Sequence, residues 1–403
     1  MLSFQEARDI VIAHAQSFGT ETITLDKSLG RVLAEDIFSD RDYPPFNRAS
    51  MDGYALLFED IEAGIKEFVC VQTILAGQTC NYEIKSGECY KIMTGASVPL
   101  SADIVIRVED SIVSQLAGQS VSQLIKFTTS ENLKKYQNIA RRGEDTAANT
   151  LVIPKGTRIT PQVIGALASF GKGKFLVEKL PRVTIISTGD EIIGVNDSVS
   201  PVQIRNSNQH VLQAMLQTNQ IKNIKLVRVK DNKQRLRTVL EKAVRNSDLL
   251  LISGGVSAGD ADFVPQILND IGVEKIFHKT KIRPGKPMWF GKKPDGCTVF
   301  ALPGNPLSCQ TTFKLFVEPY LAKCFATNTT GIYQFSIAEQ RIKKTDLDEF
   351  FPVVLYGVPT QVHIKKFNGS GDITAGLFSE AMAWQAADKQ ILEKGDTVQV
   401  FLF

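Results

Sequence analysis

The sequence predicts a multidomain chain of the α/β-plus-β class with a doubly wound α/β domain at its centre. Three observations predict it. From about residue 181 to 323, apolar strand-like runs alternate with helix-period stretches, the pattern of a mostly parallel sheet covered on both faces. Residues 46–136 offer short strand candidates separated by Gly, Ser and Asn, and short strands return after about residue 330. At 403 residues, the chain has room for several domains at roughly 150 residues each.

The elements follow in order. Ser3 and Glu6 form an S-x-x-E capping box ahead of Ala7, Ile10, Val11 and His14, which predicts a short amphipathic helix. Residues 22–25 read as a strand and 28–37 as a second helix. Tyr43-Pro44-Pro45-Phe46 excludes regular helix and marks a boundary. Strands are expected at 68–73, 88–93, 103–109 and 122–128. A helix at 161–170 and a strand at 174–177 follow, so the segments flanking the β-rich stretch are expected to form one domain that it interrupts. Beyond Pro181, strands are expected at 183–187, 225–229, 248–252 and Thr298–Leu302. Between them lie helices at 208–218, capped by Asn206-Ser207-Asn208, and at 233–245, with Leu236, Val239, Leu240 and Val244 on one face. A last helix runs to about Lys323, and Thr397–Leu402 alternates as a strand does.

Composition removes several function classes. Hydrophobic residues make up 43% and charged residues 22%, and the net charge is +3, too small to drive binding to nucleic acid or an anionic membrane. Cys70, Cys80, Cys89, Cys297, Cys309 and Cys324 include no C-x-x-C pair, and His14, His210, His278 and His363 are scattered. Neither a disulfide scaffold nor a zinc cluster is expected. The first residues lack a basic segment followed by an apolar one, and no apolar run approaches about 18 residues. A cytoplasmic protein with no secretory signal and no membrane span is expected.

Ligands of open parallel sheets bind beyond the carboxyl ends of the strands. Three loops are expected there: residues 187–191, 253–262 and 302–308. The second places Gly254 and Gly255 after a strand, where backbone N–H groups can cradle a phosphate or simply serve a turn. It is neither a Walker A loop nor G-x-G-x-x-G. Asp190, Glu191, Asp260 and Asp262 share these loops, suited to Mg²⁺ beside a phosphate or to helix capping. Lys279, Lys281 and Arg283 would share one face of an extended strand, with Lys286 nearby, as an anion site or a solvated face.

Taken in order, the segments resemble the molybdopterin molybdenumtransferase (MoeA-like) family, which includes the E domain of gephyrin. Pro44-Pro45-Phe46 with Met51-Asp52-Gly53-Tyr54-Ala55, Gly87-Glu88 with Ile92-Met93-Thr94-Gly95-Ala96, and Arg141-Arg142-Gly143-Glu144-Asp145 carry the first part. Ser187-Thr188-Gly189-Asp190-Glu191, Asn206-Ser207-Asn208, the Ser253-Gly254-Gly255-Val256-Ser257 loop, Arg283-Pro284-Gly285-Lys286-Pro287 and Leu302-Pro303-Gly304-Asn305-Pro306 carry the rest. Asn47 stands where the family usually has Asp, Arg283 where Lys is usual, and residues 368–372 and 378–386 match the pattern poorly.

The resemblance implies four domains: a split N-terminal domain (1–45 and 137–178), a β-rich insertion (46–136), a doubly wound molybdopterin-binding domain (179–329) and a small C-terminal β barrel (330–403). It implies insertion of molybdate into adenylylated molybdopterin, with Mg²⁺ and release of AMP. Carried over by position, the catalytic residues are Asp52, Thr94, Asp145, Glu191, Asp248 and Asp262, with Glu191, Asp262 and Asp52 holding the metal. The substrate-binding residues are Ser253, Gly254, Gly255, Ser257, Gly259, Lys279, Arg283, Lys286, Pro303, Gly304, Asn305, Pro306 and Ser308. A homodimer with shared sites and a functional partnership with the molybdopterin adenylyltransferase are also implied. A non-catalytic scaffold would lack the site acids, which are present here, and the adenylyltransferase step would not need the Met51–Ala55 segment.

Overall fold

Ser3 starts the first helix as its sequence predicts. Its hydroxyl accepts from the Glu6 N–H, and the Glu6 carboxylate accepts from the Ser3 N–H at 2.8 Å. Helix α1 (Phe4–Ala13) follows, with Phe4, Ala7 and Val11 buried along one face. The computed structural model describes residues 1–78, 83–115, 123–128, 132–256, 263–294, 296–327 and 331–403. The chain forms two compact units, one of Met1–Glu35, Lys155–Gln162 and Lys174–Phe403, the other of Asp36–Pro154 and Val163–Gly173.

Strand β1 (Thr20–Thr24) belongs to the larger unit. The helix expected at 28–37 does not form. A single 3₁₀ turn, Leu25–Lys27, stands before it, and Gly30 takes a left-handed φ of 76°. The backbone then pairs with a distant segment: Gly30 N–H donates to Ile159 O at 2.8 Å and Leu33 N–H to Thr157 O at 3.0 Å. Non-local pairing overrides the local helical pattern here.

The smaller unit is built on a six-stranded sheet. Its strands are β2 (Gly53–Leu56), β3 (Glu67–Ile74), β4 (Glu88–Ile92), β5 (Ile104–Arg107), β6 (Ser111–Gln115) and β7 (Gln123–Phe127), in the order β5-β2-β4-β3-β7-β6. β3 and β4 pair parallel and the other neighbours antiparallel. Alternation sorts β2 to two cores, Ala55 with Ile74 and Ile92 on one face, Tyr54 and Leu56 with Phe68 and Ile104 on the other. A Cβ on Gly53 would lie 2.1 Å from the Ile106 carbonyl oxygen, so only glycine lets β2 approach β5.

In the larger unit, β8 (Lys174–Glu178) pairs with β1. The central sheet then begins with β9 (Val183–Thr188), α2 (Ser207–Thr218), β10 (Ile224–Val229), α3 (Lys233–Asn246) and β11 (Leu249–Ser253). It continues with α4 (Val264–Asp270), β12 (Glu274–His278), β13 (Trp289–Lys292), β14 (Thr298–Leu302) and α5 (Pro306–Thr312), whose axis runs on through Phe313–Val317 into α6 (Glu318–Cys324). The strand order is β10-β9-β11-β14-β13-β12. The first four run parallel, whereas β13 is antiparallel to both neighbours. Odd and even positions divide two cores. Ile185, Leu251 and Phe300 pack with Leu212 and Leu216 of α2, and Ile186, Leu250 and Val299 pack with Leu236 of α3 and Leu268 of α4. Helices therefore cover both faces, and the order reverses between β9 and β11, where such sheets bind ligands.

The last strands are β15 (Ile332–Ile337), β16 (Asp348–Tyr356), β17 (Gln361–Ile364), β18 (Ala381–Gln385) and β19 (Thr397–Leu402). β16 pairs with β17 and β18, β18 with β19, β19 with β15 and β15 with β17. That ring of pairings is the small C-terminal barrel, and closure removes the free edges of the sheet.

Candidate active site

The loops after β9, β11 and β14 line one cavity of about 1450 Å³ at the carboxyl ends of the parallel strands. Its lining includes Thr188, Gly189 and Glu191 from the first, Gly254, Gly255 and Val256 from the second, and Pro303, Gly304, Asn305 and Pro306 from the third. Asn208 knits two of them: its Nδ2 donates to Ser253 Oγ at 2.9 Å and to Gly304 O at 2.6 Å. It is available because the neighbouring Asn206 already caps α2, accepting from Gln209 N–H at 3.2 Å. Gly254 has φ 93°, and a Cβ there would lie 2.6 Å from Thr188 O. The close approach of β9 and β11 at their carboxyl ends thus depends on glycine.

The facing wall comes from residues 282–287, from Arg341, Ile342, Lys343, Lys344 and Glu349 beside the barrel, and from residues 369–371. Asn305 Nδ2 donates to Ser370 Oγ at 2.9 Å, and Leu307 N–H donates to Ser370 O at 3.2 Å, so the third loop is fastened to that wall. Glu349 is buried. One of its oxygens lies 2.6 Å from Arg341 and the other 3.6 Å from Arg283. Burial pushes its carboxyl up, but the bonds from Arg341 and Thr345 outweigh that and hold it below its ordinary range. Lys343 is buried too, and its ammonium donates to the carbonyls of Leu347, Ala386 and Ala387 at 2.9, 2.6 and 2.8 Å.

Of the expected residues, Glu191, Gly254, Gly255, Arg283, Lys286, Pro303, Gly304, Asn305, Pro306 and Ser308 share this cleft. Ser253 is buried just before the second loop, held by Asn208, and is not among the lining residues. Ser257, Gly259, Asp260 and Asp262 lie outside the described residues. Lys279 and Asp248, in the same unit, do not line the cleft either. The φ of 72° at Lys279 follows the end of β12 and interrupts the strand, although Thr280 and Ile282 are buried while Lys281 and Arg283 are exposed, the alternation expected of an extended run. Asp248 precedes β11, at the amino end of the sheet, about 16 Å from the cleft at roughly 3.3 Å per residue. There it binds Arg182 through both oxygens, at 2.9 and 3.2 Å, and accepts from the Arg182 N–H at 2.7 Å.

Asp52, Thr94 and Asp145 belong to the smaller unit. Asp52 Oδ1 accepts from both the Thr94 hydroxyl at 2.6 Å and the Thr94 N–H at 2.7 Å. Those bonds hold its carboxyl below the ordinary aspartate range. Both side chains are exposed, as is Asp145.

Sequence reasoning missed Asp231, which lines the cleft and accepts from the Thr188 hydroxyl. It also missed the wall from Arg341 to Lys344. Asn208 sat inside a cluster read as a cap and as part of the family pattern but given no role at the site, although one asparagine suffices for capping.

Residues 2–171 match the family described as the MoeA N-terminal region (domain I and II), and residues 184–323 match a probable molybdopterin binding domain. Over 417 residues, the chain is 32% identical to a molybdopterin molybdenumtransferase of Staphylococcus epidermidis, across 100% of this chain and 95% of that one. It is 31% identical over 406 residues to that of Bacillus subtilis, across 97% and 92%. Among solved structures, the molybdopterin biosynthesis MoeA protein of Pyrococcus horikoshii OT3 aligns with a TM-score of 0.84 at 27% identity, across 100% of both chains. With such similarity along its whole length, the chain belongs to the molybdopterin molybdenumtransferase family.

Proposed function

We propose that this chain completes the molybdenum cofactor by inserting molybdate into adenylylated molybdopterin, releasing AMP in a Mg²⁺-dependent step. One observation carries the reading: a cleft at the switch point of the parallel sheet presents backbone-rich glycine loops on one side and Arg283 and Lys286 on the other. Its chemistry suits a pterin nucleotide. The loops at Gly254–Gly255 and Pro303–Pro306 bring main chain close to the phosphates, and the cations draw two anions, pyrophosphate and molybdate, into one space. The dithiolene supplies the sulfur ligands of molybdenum, so no cysteine of the protein is needed there.

The donor set fits Mg²⁺, which takes one or two carboxylates and completes its shell with phosphate oxygens and water. Glu191 lines the cleft and would help hold it; Asp262 and Asp52 enter only as the further ligands that the resemblance implies. When bound, Mg²⁺ would neutralise the phosphoanhydride. Asn208 and Ser253 would keep the second and third loops at fixed spacing, and Ser308 would close the floor beside molybdate. The same reading carries a cytoplasmic homodimer that receives its substrate from the molybdopterin adenylyltransferase. Among the described residues, no helix is long and apolar enough to cross a membrane.

The test is incubation with adenylylated molybdopterin, Mg²⁺ and molybdate. AMP and active cofactor are expected together, and Glu191→Gln is expected to lower both strongly at unchanged melting temperature. Folded protein that binds the substrate yet releases no AMP under any metal condition would refute the proposal.

A further inference from the structure

Away from the cleft, the smaller unit sets two thiols face to face. β3 and β4 run parallel, and in their register Cys70 stands directly opposite Cys89. Opposed residues on neighbouring strands point to the same face of the sheet. Their strands lie about 4.8 Å apart, inside the roughly 4.4–6.8 Å that a disulfide spans between Cα atoms. Both are free thiols.

The two differ in the way that a reacting and a resolving cysteine must. Cys89 is fully buried, packed among Tyr54, Phe68 and Ile125, whereas Cys70 is only partly buried. The register shifts immediately after Cys70, so the strand is irregular at that point and has room to adjust. The Cys89 thiol donates a hydrogen bond to Cys70. Backbone contacts with Lys91 and Gln72, the latter through the Gln72 carbonyl 3.8 Å from the thiol, and the nearby Lys91 ammonium add to it, and together they hold Cys70 well below the usual thiol range against the opposing effect of burial. Cys89 is pushed up by the same bond and by burial. The thiolate is the nucleophile, so the partly exposed member of the pair is the one that reacts.

We propose that Cys70 and Cys89 are a peroxide-responsive pair that closes to a disulfide across β3 and β4. The Cys70 sulfur attacks one oxygen of hydrogen peroxide. The S–O bond forms, the O–O bond breaks, and the departing hydroxide leaves as water with the proton that Cys70 gave up. Cys70 is then a sulfenic acid. The Cys89 sulfur attacks it, the S–S bond forms, and the S–O bond breaks, with hydroxide taking the Cys89 proton as a second water. Two thiols lose two electrons and peroxide gains them. Closure also removes the Cys70 charge beside Lys91, a cation that acts on Asp52 as well.

The experiment uses the full chain. It is titrated with hydrogen peroxide, quenched with N-ethylmaleimide, denatured, counted for free thiols and mapped by non-reducing peptide mass spectrometry. Free thiols are expected to fall from the six of the sequence to four, with a Cys70–Cys89 linked peptide that dithiothreitol reverses. In Cys89→Ser, dimedone is expected to trap Cys70 as its sulfenic acid; in Cys70→Ser, Cys89 stays unlabelled. The proposal fails if all six thiols survive doses that oxidise a free exposed thiol, if the link forms to Cys80 instead, or if Cys70 over-oxidises without linking. The wild-type map decides the matter even if a variant folds poorly.

Discussion

Asp248 separates a stabilising role from a catalytic one, and replacing it with asparagine measures the difference. The carboxylate accepts from the Arg182 N–H at 2.7 Å and from two nitrogens of its guanidinium at 2.9 and 3.2 Å. Bonds to a charged group are worth about 1.5–3 kcal/mol where water is excluded, but the two side chains are 57% and 30% exposed. Solvent screening brings the ion pair down to about 0.2–1 kcal/mol; the amide oxygen can still accept from the Arg182 N–H, but the amide NH2 that replaces the second oxygen leaves a guanidinium donor without its acceptor, which adds roughly 1 kcal/mol. Asp248→Asn should therefore cost about 1–2 kcal/mol, a fall of a few degrees in melting temperature for a unit of this size. The loss should shrink as salt rises. Burial alone would raise the Asp248 carboxyl, yet the bonds from Arg182 bring it below its ordinary 3.8. A depressed acid stabilises the fold above its unfolded value. The gap between parent and variant should therefore be full above pH 3.8 and vanish as pH falls through the lower folded-state value. AMP release should stay within about twofold of the parent, since ~1 kcal/mol of barrier already changes rate about fivefold and Asp248 lies far from the cleft. A collapse of turnover at unchanged melting temperature would refute this placement and restore a catalytic role.

Gly254→Ala must place a methyl 2.6 Å from the Thr188 oxygen at a φ of 93°, so about 1–3 kcal/mol of backbone strain adds to a main-chain clash. Calorimetric titration should show binding of the pterin nucleotide weakened more than tenfold; an unchanged affinity would show that the loop does not support the ligand. Lys343→Met leaves the carbonyls of Leu347, Ala386 and Ala387 without their charged donor. It should lower stability by about 2–3 kcal/mol, read as earlier thermal unfolding; unfolding at the parent's temperature would mean that water replaces the ammonium without penalty.

The readable parts of the sequence were those in which one local rule decides the outcome. The capping box at Ser3 forms with both of its bonds, and the apolar run at Thr298–Leu302 is a strand from end to end. Where distant segments decide, local pattern misleads. Residues 28–37 carry a helical texture, but Gly30 and Leu33 find partners near residue 158. β13 escaped notice because four residues, Trp289–Lys292, are too short a run to establish a period. Its Gly291 is required by β12, since a Cβ there would lie 2.5 Å from Glu274 O, and a lone glycine does not reveal that constraint. Asp248 was legible in principle. It precedes its strand whereas Gly254 and Gly255 follow it, and ligands gather at carboxyl ends. The wall from Arg341 to Lys344 was not legible, because the groups that fix it lie on β16 and at residues 386–387.

That wall also bears on how a chain with a net charge of only +3 would build the proposed site for two anions. Its cations divide into two kinds. Arg341 and Lys343 are spent inside the protein, the first on Glu349 and Gln385, the second on three carbonyls. Their bonds fix the shape of the wall and leave little attraction for a ligand. Arg283, Lys286 and Lys344 are exposed on the cleft. Arg283 lies 3.6 Å from Glu349, but Arg341 holds the other oxygen of that carboxylate at 2.6 Å, so Glu349 is shared rather than claimed by Arg283. A guanidinium has five N–H donors in a rigid fork, so a single loose contact with Glu349 at 3.6 Å leaves most of them for a ligand. A lysine at that position would present a single ammonium and would have to choose between carboxylate and ligand. A lysine and the arginine found here would therefore meet an anion differently: the arginine can keep its contact with Glu349 and still offer donors to a ligand.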